Sequence, residues 1–350
     1  MANIRIGIIC PSEIAFRRFL PSLQKVKGVE FAGVAIASPT EWFGDLNNVS
    51  NSDIVSQQER ELEKAKTFIN SYGGKIYQSY TEICTSADVD AIYLPLPPAL
   101  HYRWAKLALV NNKHALVEKP FTINLSDTEE LISLAKTSKL AVHEDYMFVY
   151  HNQIQAINDI IASGEIGKVR HYRIQFGFPK RAANDFRYNK ALGGGALLDA
   201  GGYTIKYASL LLGETAHLTT ASAKYEDEWE VDIFGSATMV NNEGVVAQLS
   251  FGMDNNYKCM VEAWGSEGTL TTGRILTAPD GFEPDVIIRK GNEDDVRKLP
   301  SDEAFVKSIR RFVECINCLD IREENYKTIE RQANFIEQFN KLKNNENSNN

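Results

Sequence analysis

The sequence lacks several features that would assign it to a class at once. No apolar run approaches the roughly 18 residues that a membrane-spanning helix needs. No block of lysine and arginine occurs and the formal net charge is −8, so nucleic acid and anionic membrane surfaces are poor partners. Cysteine is scarce, with five residues among 350. This odd, scattered set argues against a disulfide framework and predicts a cytoplasmic protein with reduced thiols.

A metal site is not indicated either. Cys315 and Cys318 are the only closely spaced cysteines, and they lie in a stretch with helical periodicity. No second cysteine or histidine pair completes a zinc site. We therefore expect structural thiols on a helix and no metal.

The first 150 residues alternate between short apolar runs and amphipathic stretches. Continuous apolar strands between helices are typical of a parallel sheet that is covered on both faces. Such sheets bind ligands beyond the carboxyl ends of their strands. The six predicted strands are 4–9, 29–38, 75–78, 90–97, 114–120 and 140–148.

The second half carries long alternating stretches, which predict an antiparallel sheet with one covered face. A glycine-rich helix is predicted at 193–213 and two helices close the chain. The predicted fold is a doubly wound Rossmann sheet plus an α+β domain with an open antiparallel sheet. The predicted boundaries are a nucleotide-binding domain at 1–122, a crossover and substrate domain at 123–342, and a disordered tail at 343–350. The closing helices are expected to pack back on either domain.

The turn after the first strand, GIICPSEIA at 7–15, departs from a dinucleotide-binding motif. In G-x-G-x-x-G/A the glycines allow a tight turn and a close backbone approach to the pyrophosphate. Cys10 and Ser12 stand at the first two glycine positions, and Ala15 stands at the third. A Cβ at position 10 is compatible with the turn if its φ stays negative.

VEKPF, at 117–121, follows the fifth strand on the side of the sheet where ligands bind. Lys119 can reach a reacting group there, and Pro120 stiffens the turn and can adopt the cis form. From position alone, a strand-end lysine in solvent is an equally good interpretation.

GGGALLDAGGY, at 193–203, is a sharper signal. Its glycines let the backbone approach a ligand or another chain closely. Asp199 and Tyr203 are spaced i, i+4 and share a helix face. A carboxylate and a phenol on one face suit hydrogen bonding to a polyol and proton donation to an alkoxide. A helix cap with a packed tyrosine would give the same pattern.

Together these motifs carry a family resemblance. The chain resembles the sugar-dehydrogenase family that includes glucose–fructose oxidoreductase and inositol dehydrogenase. In that family E-K-P follows strand five and G-G-G-x-L-x-D-x-G-x-H lies in the second domain. The resemblance runs over residues 4–342. It implies that Lys119 is a catalytic or positioning lysine and that Asp199 binds the substrate.

Tyr203 stands where that family usually has histidine. This departure is similar to a subgroup, the nucleotide-sugar 3-ketoreductases of deoxysugar pathways, in which a tyrosine is the general acid. CPSEIAFRRFLPSL at 10–23 and YMFVYHNQ at 146–153 resemble G-C-A-D-I-A-x-R-R-x-L-P-A-L and M-F-x-x-H-x-Q of that subgroup.

The subgroup also lacks the second glycine, so the resemblance implies that the altered turn still binds a dinucleotide, with the helix N-terminus facing the pyrophosphate. For His101, a capping or surface position is as good an interpretation as a position lining the cofactor cleft. The implied cofactor contacts around the strand ends are Cys10, Ser12, Glu13, Ile14, Pro95, His101 and Glu118.

The end of the second strand favours NADP(H) over NAD. NAD-binding domains usually end this strand with an acid that binds the ribose 2′-OH, and no acid occurs at 37–40. Ser38 and Thr40 can donate to a 2′-phosphate, and Arg17 or Arg18 can add charge. For the two arginines, an exposed helix face is a somewhat better interpretation.

The resulting prediction is NADPH-dependent reduction of a keto group, at C3, on a nucleotide-linked keto-deoxysugar. Tyr203 donates the proton, Lys119 orients the carbonyl and Asp199 holds a sugar hydroxyl. One alternative is an NAD(P)-dependent dehydrogenase of a free sugar or inositol, which Tyr203 argues against. Another is a non-catalytic NADP(H)-binding sensor, which the missing glycines favour and the retained Lys119, Asp199 and Tyr203 oppose. The broad sheet also predicts a homo-oligomer.

We expect NADPH to bind more tightly than NADH, because the second strand ends without an acid to repel a 2′-phosphate. Equilibrium fluorescence titration with each cofactor measures the preference. Tighter binding of NADH would contradict the argument from residues 37–40.

Overall fold

Six strands of the first half pair into one sheet in the computed structural model, which describes residues 3–347. Every neighbouring pair is parallel, in the order β3-β2-β1-β4-β5-β6. The order reverses between β1 and β4, which creates a crevice at the carboxyl ends of these strands. The predicted Rossmann sheet is confirmed. The strands are β1 (Ile4–Ile9), β2 (Val29–Ala35), β3 (Lys75–Tyr77), β4 (Ala91–Leu94), β5 (His114–Glu118) and β6 (Val142–Asp145).

Helices connect these strands. A π-helical turn at Ala15–Phe19 passes directly into α1, whose first turn contains Pro21. Proline has no N–H to donate within a helix. Ser50 caps the long α3 by accepting a hydrogen bond from the Asp53 N–H at 3.1 Å. The helices are α1 (Leu20–Leu23), α2 (Pro39–Phe43), α3 (Asn51–Tyr72), α4 (Tyr80–Thr85), α5 (His101–Val110) and α6 (Leu125–Ser138).

The second half forms an eight-stranded sheet in the order β14-β13-β12-β11-β7-β10-β9-β8. One pair, β7 with β10, is parallel, and the other pairs are antiparallel. The elements are α7 (Asn152–Ala162), β7 (Val169–Gly177), a π-helical turn (Leu197–Gly201), α8 (Gly202–Leu212), β8 (His217–Tyr225), β9 (Asp232–Val240), β10 (Val246–Gly252), β11 (Lys258–Gly265), β12 (Thr269–Gly273), β13 (Asp285–Lys290) and β14 (Glu293–Lys298).

One face of this sheet is covered, as predicted. Along β11, Val261 and Ala263 are buried in the core, whereas Trp264 is exposed on the other face. The last three strands were not predicted. In β14 the residues are EDDVRK and none is buried, so this edge strand shows no apolar alternation to detect.

The chain divides into two compact units, and each contains pieces from distant parts of the sequence. The first comprises Met1–Thr122, Ser126–Asp145 and Ser308–Glu330, and the second comprises Ile123–Leu125, Tyr146–Lys307 and Arg331–Asn350. The predicted break at 122 therefore lies before α6 and β6, which belong with the first unit because β6 extends its sheet beside β5.

Two closing helices, α9 (Ala304–Asn317) and α10 (Leu319–Asn347), each contribute to both units. Tyr326 and Ile329 of α10 belong to the core of the first unit, whereas Phe335 and Phe339 belong to that of the second. The predicted tail at 343–350 begins inside α10. No glycine or proline stops that helix before Asn347, and residues 348–350 lie outside the described part. Within residues 3–347, no helix is long and apolar enough to cross a bilayer.

We expect His114 to make the stability depend on pH. Its Nδ1 accepts a hydrogen bond from the Ala141 N–H at 2.8 Å, and burial, with the nearby charge of Arg322, lowers its pKa from 6.5 to about 4. Between these values the unfolded chain binds a proton that the folded chain does not. The free energy of unfolding should therefore fall as pH falls from 6.5 towards 4.

Urea denaturation at a series of pH values measures this dependence. His114→Asn keeps a hydrogen-bond acceptor for the Ala141 N–H but cannot titrate, and should therefore show a shallower slope. Equal slopes for the two proteins would refute the assignment.

Candidate active site

The turn after β1 takes the backbone conformation that glycine would take. Cys10 has a φ of 75°, so the negative φ that would accommodate a Cβ without strain is not adopted. Its N–H still donates to the Ala35 carbonyl at 3.1 Å, while its own carbonyl already accepts from the Ser12 N–H at 2.8 Å. The chain reverses at this residue because both bonds must form. Such a conformation costs a non-glycine residue roughly 1–2 kcal/mol. Cys10 therefore adopts the backbone conformation of the glycine that it replaces, at this cost in stability.

The side chains of this turn are used locally. The Ala15 N–H donates to Ser12 Oγ at 3.3 Å, and burial raises the pKa of the Cys10 thiol to about 12. Cys10 is therefore a neutral thiol at physiological pH. Exposed Ile14 lies at the start of the following π-helical turn.

Two of the charged residues expected to contact the cofactor near this turn, Glu13 and Arg17, form an ion pair with each other. The Arg17 guanidinium lies 2.6 Å from the Glu13 carboxylate, and both side chains are largely exposed. Exposed pairs of this kind are weak, so either side chain can exchange its partner for a ligand. The arginines at 17 and 18 stay predictions as cofactor contacts.

An acid, Glu41, lies in α2, one position beyond the segment 37–40 that follows β2. Ser38 caps α2, and the Glu41 carboxylate accepts from the Ser38 N–H at 2.9 Å. It also accepts from the N–H groups of Tyr80 and Thr81 and from the Thr81 hydroxyl. Partial burial raises the pKa of Glu41, but these hydrogen bonds lower it by more, so the pKa lies below its ordinary value. This acid is bound to the start of α4, so the argument for NADP(H) keeps its basis at Ser38 and Thr40.

Lys119 directly follows β5, and the Lys119–Pro120 bond is cis, as the sequence analysis allowed. Beside it, the Glu118 carboxylate accepts a hydrogen bond from the Tyr93 hydroxyl at 2.6 Å. Tyr93 is fully buried and stacks on Phe19 with ring centroids 3.9 Å apart. Glu118 is thereby fixed at the strand end before Lys119.

A second carboxyl lies behind Glu118. Asp145 ends β6, is buried, and accepts from the Ser308 hydroxyl at 2.6 Å. Ser308 Oγ also lies 3.0 Å from His143 Nε2. Burial and the charge of Glu118 raise the pKa of Asp145 well above its usual range. The protonated form of Asp145 is therefore more favoured at this strand end than it is for a carboxyl in water.

His101 joins two loops at the same edge of the sheet. Its Nδ1 lies 2.8 Å from the Pro120 carbonyl oxygen, and its Nε2 lies 2.8 Å from that of Leu96. The ring is completely buried. Burial lowers the pKa of His101 to about 4, although the two carbonyls act in the opposite direction. The ring thus lies between the turns after β4 and β5 and, as a neutral imidazole, donates its one N–H to one of the two carbonyls. Buried Pro95 lies in the first of these turns. A direct cofactor contact of either residue stays a prediction.

The glycine-rich stretch of the second unit lies against another segment of the same chain. Gly195 donates its N–H to the Arg187 carbonyl at 2.9 Å. A Cβ added at Gly194 would lie 2.3 Å from that carbonyl oxygen. These glycines therefore allow a close approach to another segment of the same chain, while an approach to a ligand or to another chain stays a prediction.

Asp199 is paired with an arginine that sequence reasoning missed. Arg187 Nε donates to Asp199 Oδ2 at 2.6 Å, and Nη1 donates to Asp185 Oδ1 at 3.1 Å. The three side chains are 13–22% exposed. The two carboxylates raise the pKa of Arg187, although burial opposes them. The only sequence signal was an arginine between Asp185 and the glycines.

Tyr203 lies one turn after Asp199, where the π-helical turn Leu197–Gly201 passes into α8. Such π-turns are frequent at functional sites. The Tyr203 ring packs against Tyr146, Phe148 and Phe176, with centroids 5.1, 5.7 and 5.3 Å away. Tyr146 and Phe148 of the stretch 146–153, together with Phe176 of β7, therefore form the wall that orients this ring.

Comparison with known proteins covers both units. A family model described as an oxidoreductase family with an NAD-binding Rossmann fold matches residues 27–146, and one for the GFO/IDH/MocA C-terminal domain matches residues 154–271. A dTDP-3,4-didehydro-2,6-dideoxy-α-D-glucose 3-reductase from Actinomadura kijaniata is 33% identical over 334 residues, 95% of this chain and 94% of the relative. The chain belongs to the GFO/IDH/MocA family of oxidoreductases.

Other members of the family support this placement. A protein of the same name from Streptomyces violaceoruber is 35% identical over 89% of this chain and 85% of its own length. The crystal structure of KijD10, a 3-ketoreductase from Actinomadura kijaniata in complex with NADP and TDP-benzene, has a TM-score of 0.87. It is 32% identical and covers 97% of this chain and 98% of its own. An aldose–aldose oxidoreductase from Caulobacter crescentus, 20% identical with a TM-score of 0.81, shares the fold.

Proposed function

We propose that this protein uses NADPH to reduce the C3 keto group of a dTDP-linked keto-deoxysugar. The observation that carries the proposal is its similarity, over nearly the whole chain, to proteins named for this reaction. The retention of Lys119, Asp199 and Tyr203 adds to it.

A further comparison supports Lys119 and Tyr203 as a functional pair. Variants of KijD10 with a lysine replaced by alanine and with a tyrosine replaced by phenylalanine have been crystallised with TDP-benzene and NADP. In that protein the two substituted residues are separated by the same number of positions as Lys119 and Tyr203.

The residues at the β1–β4 crevice fit NADP(H). The backbone of Cys10 keeps the glycine-like turn, and the following N–H groups are the type of donor that pyrophosphate needs. Ser38 and Thr40 offer hydroxyls for a 2′-phosphate, while Glu41 is held by α4. When bound, NADPH supplies a hydride and is oxidised to NADP⁺.

In the proposed reaction the carbonyl carbon gains the hydride and its oxygen gains a proton from the Tyr203 hydroxyl. Lys119 orients the carbonyl, and its positive charge favours the phenolate that remains. Solvent then returns a proton to Tyr203. Ring packing by Tyr146, Phe148 and Phe176 keeps the phenol from rotating away during this transfer.

We also propose a cytoplasmic homo-oligomer that forms through the outer face of the eight-stranded sheet. The five cysteines are all free thiols, which suits a reducing compartment. On the outer face, Trp264 is 58% exposed and Phe234 is 44% exposed. Large aromatic side chains on one exposed face are typical of protein interfaces.

Tyr203→Phe should lower kcat by roughly 10²–10⁴-fold, because the phenyl ring keeps its packing but loses the proton. NADPH affinity should stay unchanged. Lys119→Ala should also lower kcat, and the double variant should lose less than the product of the two factors, because the residues act as a unit. Steady-state kinetics on a dTDP-linked keto-sugar measures all three variants.

Tyr207→Phe is the matched control. Tyr207 lies one turn further along α8, is fully buried, and its hydroxyl has no hydrogen-bond partner among the described residues. Its loss should leave kcat unchanged. Wild-type turnover by Tyr203→Phe would refute the proton-donor role. Turnover only with free sugars or inositol would favour the alternative dehydrogenase, and NADPH binding without any turnover would favour a sensor.

Trp264→Asp should reduce the molecular mass measured by sedimentation equilibrium, because a charge would replace an apolar contact between subunits. Trp42→Asp is the control, since Trp42 is comparably exposed at 48% but lies on α2. An unchanged mass for Trp264→Asp would argue against this interface.

A further inference from the structure

Asp185, Arg187 and Asp199 form a half-buried cluster in the second unit, here called the arginine cluster. Asp185 Oδ1 accepts from the Arg187 N–H at 3.0 Å as well as from Nη1 at 3.1 Å. Asp199 Oδ2 accepts from Nε at 2.6 Å. The guanidinium also lies over the Phe186 ring, 4.6 Å from its centroid. Arg187 is therefore fixed from two sides and one face.

The cluster still has unused donors. No protein atom in the described chain accepts a hydrogen bond from Arg187 Nη2, although arginine carries two N–H groups there. The side chain is 22% exposed, so this end of the guanidinium is accessible. A half-buried donor without a partner costs free energy unless a ligand or water accepts from it.

The net charge of the cluster indicates which part of a nucleotide sugar it suits. The two carboxylates beside the guanidinium offset its positive charge, so the arginine cluster offers little attraction to a diphosphate. A neutral oxygen of the sugar is a better acceptor for Nη2.

The chemistry of the proposed substrate, on which this inference rests, narrows the choice. A 3,4-didehydro-2,6-dideoxy sugar, as in the relative's name, has carbonyls at C3 and C4 and no hydroxyl at C2 or C6. Its carbonyl oxygens only accept hydrogen bonds. A carboxylate such as Asp199 has no sugar hydroxyl to accept from, whereas an arginine N–H suits a carbonyl.

We propose that Arg187 is the residue of the arginine cluster that touches the sugar, and that its Nη2 donates to the carbonyl oxygen that is not reduced. Asp185 and Asp199 are positioning residues that orient the guanidinium. The role expected for Asp199 thereby changes from a hydroxyl acceptor to a residue that acts through Arg187.

Binding of a dTDP-linked 4-keto-6-deoxyhexose to the NADPH complex, compared with binding of dTDP alone, isolates the contribution of the sugar. Arg187→Met should weaken the sugar nucleotide about 10- to 100-fold, the range for hydrogen bonds from charged groups, and leave dTDP unchanged. Arg187→Lys keeps the charge without the planar fork and should fall between. Thermal melting shows which variants fold. For Arg187→Ala, millimolar methylguanidinium should restore part of the affinity.

A double-mutant cycle separates the two roles of Asp199. If Asp199 acts through Arg187, Asp199→Asn should weaken binding in the wild-type background and add nothing in Arg187→Met. In steady-state kinetics on a diketo sugar nucleotide, Arg187→Met should raise KM more than it lowers kcat, because the contacted oxygen is not the reacting one.

Three results would overturn the assignment. They are sugar-nucleotide binding by folded Arg187→Met and Arg187→Lys within twofold of wild type, equal weakening of dTDP alone, and multiplicative losses in the double variant. Absence of wild-type turnover with the predicted order of affinities intact would count against the proposed reaction while supporting the role of Arg187 in ligand binding.

Discussion

The ion pair between Arg187 and Asp199 is the contact on which the second unit's part of the candidate site depends. A guanidinium that is mostly withdrawn from water needs acidic partners, and Asp185 and Asp199 supply them. Their approach requires the glycine turn to lie directly on the Arg187 backbone, where a side chain at Gly194 would not fit. The same turn begins the helix that carries Tyr203, so the position of the phenol follows from this contact.

In the first unit, the polar groups at the strand ends are satisfied by other parts of the fold. The Tyr93 hydroxyl donates to Glu118, the Ser308 hydroxyl donates to Asp145, and the His101 ring lies between the carbonyls of two turns. Burial and the charge of Glu118 favour the protonated form of Asp145, which reduces the repulsion between these two neighbouring carboxyls. The ends of β4, β5 and β6 can therefore lie side by side, and Lys119 follows β5 in a defined turn.

The order of elements was predictable because the hydrophobic pattern is strong. All six parallel strands and five strands of the second sheet begin within two residues of an apolar or alternating run, since burial on two faces or one imposes those patterns. The edge strand β14 was not predicted, because none of its residues is buried and its sequence shows no apolar alternation. The positive φ of Cys10 could not be predicted, because the backbone there follows from two hydrogen bonds, one of them to the neighbouring strand, and not from the residue's own preference.

The sequence by itself determined the two-sheet organisation, the family motifs, and the positions of Lys119, Asp199 and Tyr203. These depend on periodicity and on residue types at short spacing, which local sequence carries. Only the tertiary structure decided the partner of each polar side chain. Glu41 is held by the start of α4, His101 spans two turns, and Asp199 binds Arg187. Such partners are set by which loops the fold brings side by side, and no local spacing encodes that proximity.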